Sequence, residues 1–127
     1  MNHWDLTAVD VPPRQPQILT TTGDARAIVI GLEAGETMNE HQVHESAWVT
    51  VVAGEIEMTA SATGHEVRAG VGSLFQFEPG ERHEVRATTD ARLLLLLAPW
   101  PGVGHPGATP PEEKAIASQR AAERRAA

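Results

Sequence analysis

At 127 residues with a formal net charge of −7, the chain has the length of one domain, and its acidity argues against a nucleic-acid partner, because neutralising phosphates requires clustered Lys and Arg. It contains no cysteine, which excludes disulfides, thiolate metal sites and cysteine nucleophiles. Eleven glycines and nine prolines indicate many turns between short elements, which favours an all-β fold.

The first 24 residues are rich in proline and threonine, with Pro12, Pro13 and Pro16 followed by Thr20–Thr22. This composition predicts an extended N-terminal arm over residues 1–24 rather than a helix. The opening residues carry acids and no apolar stretch of signal-peptide type. We therefore expect a cytoplasmic protein.

Residues 25–98 are predicted to form a single β domain. Its clearest pattern alternates apolar and polar residues over 47–60, broken at Gly54, while Gly64 marks a hairpin turn. Pro79-Gly80 marks a second tight turn. Residues 92–98 are nearly all aliphatic, which predicts a strand buried on both faces, and they are far short of the roughly 20 residues of a membrane helix. At least seven short strands with regular turns predict a sandwich or barrel.

Residues 99–127 form a separate region. Its first part, residues 101–107, is too rich in proline and glycine for regular structure. A capping-box pattern that begins at Thr109 then predicts a short C-terminal helix over residues 110–124. Ile116 is the only large aliphatic residue of that helix, so it has little apolar surface to bury.

Three histidines lie next to predicted strands: His41 and His44 before the alternating segment, and His83 after the Pro79-Gly80 turn. Neutral imidazole is a common ligand of divalent metals, so histidines that meet inside a barrel are candidates for a reactive centre. His3, His65 and His105 lie in predicted arm, turn and loop segments, and we expect them at the surface.

These clusters resemble the two signature motifs of the cupins, small double-stranded β-helix (jelly-roll) proteins. The first cupin motif has a glycine, a His-x-His pair, a glutamate and a second glycine, and here Gly35, His41 and Gly54 match it. Val43 stands at the position of its second histidine and Ala47 at that of its glutamate. His44 lies one residue beyond the second-histidine position, where only a bulge would turn it towards His41.

The second motif resembles the stretch that runs from Gly72 through Pro79-Gly80 to His83, with Ser73 in place of the usual aspartate. The resemblance covers about residues 25–98 and implies a cupin-like jelly-roll barrel with an N-terminal arm and a C-terminal helix. Small cupins of this kind often form homodimers through edge strands, and the arm is the natural element for such an exchange.

The resemblance also implies a divalent metal, Zn, Fe, Mn or Ni, with His41, His44 and His83 as its ligands. Glu40 and Glu45 are the candidates to replace the missing glutamate, but acids at strand ends are usually solvated. The barrel pocket is predicted to be lined by Val49, Val51, Phe75 and Phe77.

Two functions follow from the resemblance and the candidate residues. The first is a metal-dependent enzyme of dioxygenase or isomerase type that acts on a small organic molecule, with no catalytic residue assigned. The second is a metal-free module that binds or senses a small ligand.

Overall fold

The structure is a computed structural model that describes residues 1–13, 15–41 and 43–103, with the backbone alone described for residues 39–41. The helix predicted over residues 110–124, like His105, lies outside these ranges. None of the described residues belongs to a helix that is long and apolar enough to cross a bilayer. The described chain forms nine strands: β1 (Gln17–Thr21), β2 (Arg26–Leu32), β3 (Thr37–His41), β4 (Ser46–Ala53), β5 (Ile56–Ala60), β6 (His65–Ala69), β7 (Leu74–Phe77), β8 (His83–Ala87) and β9 (Ala91–Ala98).

The strands form two antiparallel sheets, a five-stranded one in the order β1-β2-β9-β4-β7 and a four-stranded one in the order β3-β8-β5-β6. Strands distant in the chain pair with each other: β9 lies between β2 and β4, and β8 lies between β3 and β5. The predicted all-β architecture is confirmed within the described residues.

The core lies between the two sheets. In β4 the predicted alternation is confirmed, because Ala47, Val49 and Val51 are buried whereas Trp48 and Thr50 are only half-buried. These three residues pack with apolar side chains of the opposite sheet, such as those of β5 and β8. The period-two pattern thus marks the inward face of β4.

Strand β9 departs from its prediction. Leu93 and Leu97 are buried, but Leu96 is 40% exposed, so the strand is not buried on both faces. Its outward residues lie on the outer face of the five-stranded sheet, which the described part of the chain covers only in part. An aliphatic run therefore does not distinguish a central strand covered on one face from a strand covered on both.

The N-terminal segment folds back onto the outer face of the five-stranded sheet. Arg92 of β9 donates from Nη1 to the carbonyl oxygens of Leu6 at 2.8 Å and Val9 at 2.7 Å. Within this segment the hydroxyl and the N–H of Thr7 donate to the Asp5 carboxylate and hold its pKa below the ordinary value. The predicted arm thus contains a turn, a contact with β9 and the edge strand β1.

Candidate functional site

His83 is the first residue of β8, and the turn before it sets its position. Gly80 has φ of 79°, and its N–H donates to the carbonyl oxygen of Val43 at 2.8 Å. This bond joins the β7–β8 turn to the segment between β3 and β4. The His83 side chain is only 4% exposed, as expected for an inward position at the start of an alternating strand.

The His83 ring stacks on Phe77, with ring centroids 3.9 Å apart and planes at 11°. Its Nδ1 lies 3.4 Å from the carbonyl oxygen of Glu81. The ring borders a cavity of about 20 Å³, room for roughly one water molecule. The other described residues that line the cavity are apolar: Ile30, Met38, Val49, Met58, Val85, Leu93 and Leu95. Among the described residues, the imidazole is thus a polar group surrounded by aliphatic and thioether side chains.

The predicted pocket residues have different positions around this cavity. Val49 lines it, and Phe77 supports the imidazole by stacking. Val51 is 2% exposed within the core, and Phe75 is half-buried and packs against that core.

The other two predicted metal ligands lie before β4. The backbone of His41 pairs with that of His83 across β3 and β8, after a register shift in β3. The side chain of His41 lies outside the described part of the structure. His44 is exposed, in the bend that leads into β4.

The cupin positions that lack their usual ligands are filled by apolar packing. Val43 packs against the core, and Ala47 is fully buried between Phe77 and Leu97 in the sheet. Among the described side chains, no group of three His, Asp or Glu residues is placed to hold a metal ion. The described residues therefore do not by themselves fit a metal centre, and the full ligand set stays a prediction.

Glu45 corrects the expectation that acids beside the histidines are solvated. It is 1% exposed, and its Oε2 accepts a hydrogen bond from the N–H of Gly102 at 2.6 Å. Gly102 is itself buried, and a Cβ on it would collide with the backbone carbonyl of His44. This contact holds the segment after β9 against the residues that precede β4.

No local pattern marks this pair, because Glu45 and Gly102 are 57 residues apart in the chain. The sequence feature that could have indicated a close contact is Gly102 itself, within the Pro-Gly-Val-Gly stretch that begins at Pro101. Trp100 of the same segment also packs against the barrel, where the Arg26 guanidinium lies 3.9 Å from its ring centroid.

The model of the cupin domain family matches residues 28–99, more than half of the chain. A search of curated proteins gives no match.

Solved structures share the fold at low sequence identity. A cupin described as RmlC-like from Desulfovibrio desulfuricans is 21% identical, with a TM-score of 0.68 over 78% of this chain and 96% of that one. A conserved protein of unknown function from Streptococcus pyogenes is 24% identical, with a TM-score of 0.64 over 76% and 86%. KdgF from Halomonas sp. is 24% identical, with a TM-score of 0.61 over 67% and 79%.

At this identity these likenesses concern the fold alone. Together with the family match and the jelly-roll pairing of β2 with β9 and β3 with β8, they lead to one conclusion. The chain belongs to the cupin family.

Proposed function

We propose that this cupin binds a small organic molecule through His83, without a metal. The observation that carries the proposal is the buried imidazole, which stacks on Phe77 and borders a cavity whose other described walls are apolar. Small-molecule sites typically combine apolar walls with a few polar groups that fix the orientation of the ligand. A neutral imidazole, which carries one donor and one acceptor nitrogen, is a polar group of this kind.

A divalent-metal enzyme of dioxygenase or isomerase type is the second candidate. It is supported by the register of β3 and β8, in which His41 and His83 are direct cross-strand neighbours. Two histidines on facing positions are a common start of a Zn, Fe, Mn or Ni site. The exposed His44 and the buried Ala47 weigh against this candidate, since neither supplies a further ligand inside the barrel.

The two candidates predict different outcomes for His83→Phe, which keeps an aromatic ring against Phe77 and removes both ring nitrogens. In the metal-free case, the protein purified without chelator carries less than about a tenth of an equivalent of transition metal, before and after the substitution. A panel of small alcohols, amines and acids is then screened by thermal shift. A binder at ten times its dissociation constant raises the Tm of the unmodified protein by about 5 °C and that of His83→Phe by much less.

His65→Phe is the matched control, because His65 is exposed on β6. It should keep every thermal shift of the unmodified protein. Stoichiometric zinc that binds the unmodified protein and His65→Phe, but not His83→Phe, would replace the metal-free proposal with the second candidate. Equal thermal shifts in both variants would refute a role for His83 in binding.

We also propose a homodimer formed through the outer face of the five-stranded sheet. Leu74 is 65% exposed and Leu96 is 40% exposed, and on that face they pair across the strands with the half-buried Thr50 and Trp48 of β4. Each copy carries a formal charge of −7, so association is favoured where apolar groups replace carboxylates. The contacts of Arg92 with Leu6 and Val9 hold the N-terminal segment on its own sheet, which favours this face over arm exchange.

Sedimentation velocity tests the dimer. The unmodified chain should sediment as a dimer, and Leu96→Glu should raise the dimer dissociation constant at least about tenfold by placing like charges in the interface. Val67→Glu on β6, where Val67 is 38% exposed, is the control and should leave the dimer intact. A monomer at all concentrations would contradict the proposal.

A further inference from the structure

A second cavity, much larger than the one beside His83, opens on the side of the barrel. It has a volume of about 380 Å³ and lies between β2 and β3, next to the residue that precedes the edge strand β1. Strand β3 is likewise the edge of its own sheet. We call this space the lateral cleft, and its walls include Pro16, Ile30, Leu32, Glu36, Thr37 and Met38.

The two cavities differ in what they can hold. Small-molecule sites usually measure about 300–1,000 Å³, a range that includes the lateral cleft. The cavity beside His83, at about 20 Å³, has room for roughly one water molecule. An organic molecule that reaches His83 therefore cannot have its body in the inner cavity as the side chains stand.

Two residues connect the spaces. Ile30 and Met38 line both the lateral cleft and the cavity beside His83, from which we infer that their side chains form the partition between the two spaces. Ile30 is β-branched and stiff about its first side-chain torsion, whereas Met38 is unbranched and has three rotatable bonds. A rotamer change of Met38 would therefore open the partition without moving a strand.

The charge of the cleft restricts the ligand class. Four of the six walls named above are apolar, and Glu36 places a carboxylate among them. One of its oxygens accepts the N–H of Glu33 at 2.9 Å. A carboxylate ligand would meet that charge and the net charge of −7 of the chain.

We propose that the lateral cleft holds the apolar body of a compact neutral or amine-bearing molecule, which reaches His83 past Met38. This inference rests on the proposed role of His83 and adds the class of ligand and its route. The cleft supplies the apolar area, His83 supplies the polar contact, and Glu36 disfavours acids.

Methionine methyl groups report on this proposal directly, because the chain has three methionines in three settings. Met38 lines both cavities, Met58 lines only the inner one of the two, and Met1 is exposed. In protein labelled with ¹³C-methyl methionine, both cyclohexanol and cyclohexylamine should shift the Met38 resonance. Titration of these shifts should give dissociation constants on the order of a millimolar. Cyclohexanecarboxylate, with the same ring, should bind at least about tenfold more weakly, and Glu36→Gln should reduce that difference.

A substitution that blocks the opening of the lateral cleft tests the route, and the same kind of substitution at a distant site is the matched control. Thr37 is exposed at the rim of the cleft, so Thr37→Trp should weaken cyclohexanol binding at least about tenfold. Val67→Trp, the same kind of exchange on β6 at the opposite edge of the four-stranded sheet, should have no effect.

The outcomes separate this inference from the proposed function. A Met58 shift without a Met38 shift, or binding that survives Thr37→Trp, would overturn the cleft route while leaving the role of His83 standing. A Met38 shift that is unchanged in His83→Phe would retain the cleft as a binding site and refute its link to His83. The absence of any Met38 shift with the three cyclohexyl probes would overturn the inference.

Discussion

Replacing Gly54 by Ala is expected to lower the free energy of unfolding by about 3–5 kcal/mol. Gly54 has φ of 78°, and a Cβ on it would collide with the carbonyl oxygen of Asp90 and lie 2.8 Å from Cα of Ala91. Both atoms belong to backbone, so neither can move aside cheaply. Thermal or urea unfolding of the variant measures the loss, which should lower the Tm by about 10 °C or more.

The collision is severe because the turn that contains Gly54 is hydrogen-bonded to the turn between β8 and β9. The N–H of Glu55 donates to the hydroxyl of Thr89 at 3.0 Å, and the N–H of Thr88 donates to the carbonyl oxygen of Glu55 at 3.0 Å. The turn between β8 and β9 is thus fastened to the residue that follows Gly54. Displacing it would break these bonds.

Gly64→Ala is the matched control for Gly54→Ala. Gly64 has a similar φ of 71°, but a Cβ there would meet no atom within 4 Å. The free energy of unfolding of Gly64→Ala should fall only by the backbone cost of a positive φ, about 1 kcal/mol. Equal losses at the two positions would show that backbone conformation accounts for both and that the contact with Asp90 does not matter.

Glu45→Ala is expected to cost about 2–4 kcal/mol of stability, the second large effect. The substitution leaves the buried N–H of Gly102 without its acceptor and opens space in a packed region. The local consequence should be release of the segment after β9. Hydrogen exchange of the Gly102 amide measures that release, and unfolding measures the total cost.

Two further variants determine what the Glu45 side chain contributes. Glu45→Gln keeps an acceptor oxygen of the same reach, so the Gly102 amide should remain largely protected. Gly102→Ala should destabilise even with Glu45 present, because its Cβ would lie 2.8 Å from Oε2 and collide with the carbonyl of His44. In a double-mutant cycle the losses from Glu45→Ala and Gly102→Ala should not add, and strict additivity would contradict the contact.

Much of the barrel was predictable because short-range rules govern it. The alternation in β4 identified the inward Ala47, Val49 and Val51, and the glycines marked turns in which φ is positive at Gly54 and Gly64. The burial of His83 also follows from local rules, since the Pro79-Gly80 turn fixes where β8 starts and which face its first residue takes.

The outward leucines of β9 and the acid beside the histidines were not predictable in this way. Leu96 looks like Leu97 in sequence, yet one is 40% exposed and the other 3%. Glu45 follows the exposed His44 directly and is buried. Whether a remote segment covers Leu96, and which remote residue contacts Glu45, cannot be derived from a local pattern.

The sequence by itself determined the family, the strand pattern and the inward histidine His83, because periodicity and turn chemistry act over a few residues. Only the tertiary structure decided that Glu45 is buried against Gly102 and that Ile30 and Met38 line both a lateral cleft and the cavity beside His83. The physical reason is that cavities and buried polar pairs form where strands distant in sequence approach each other. Their size and partners depend on how the two sheets pack.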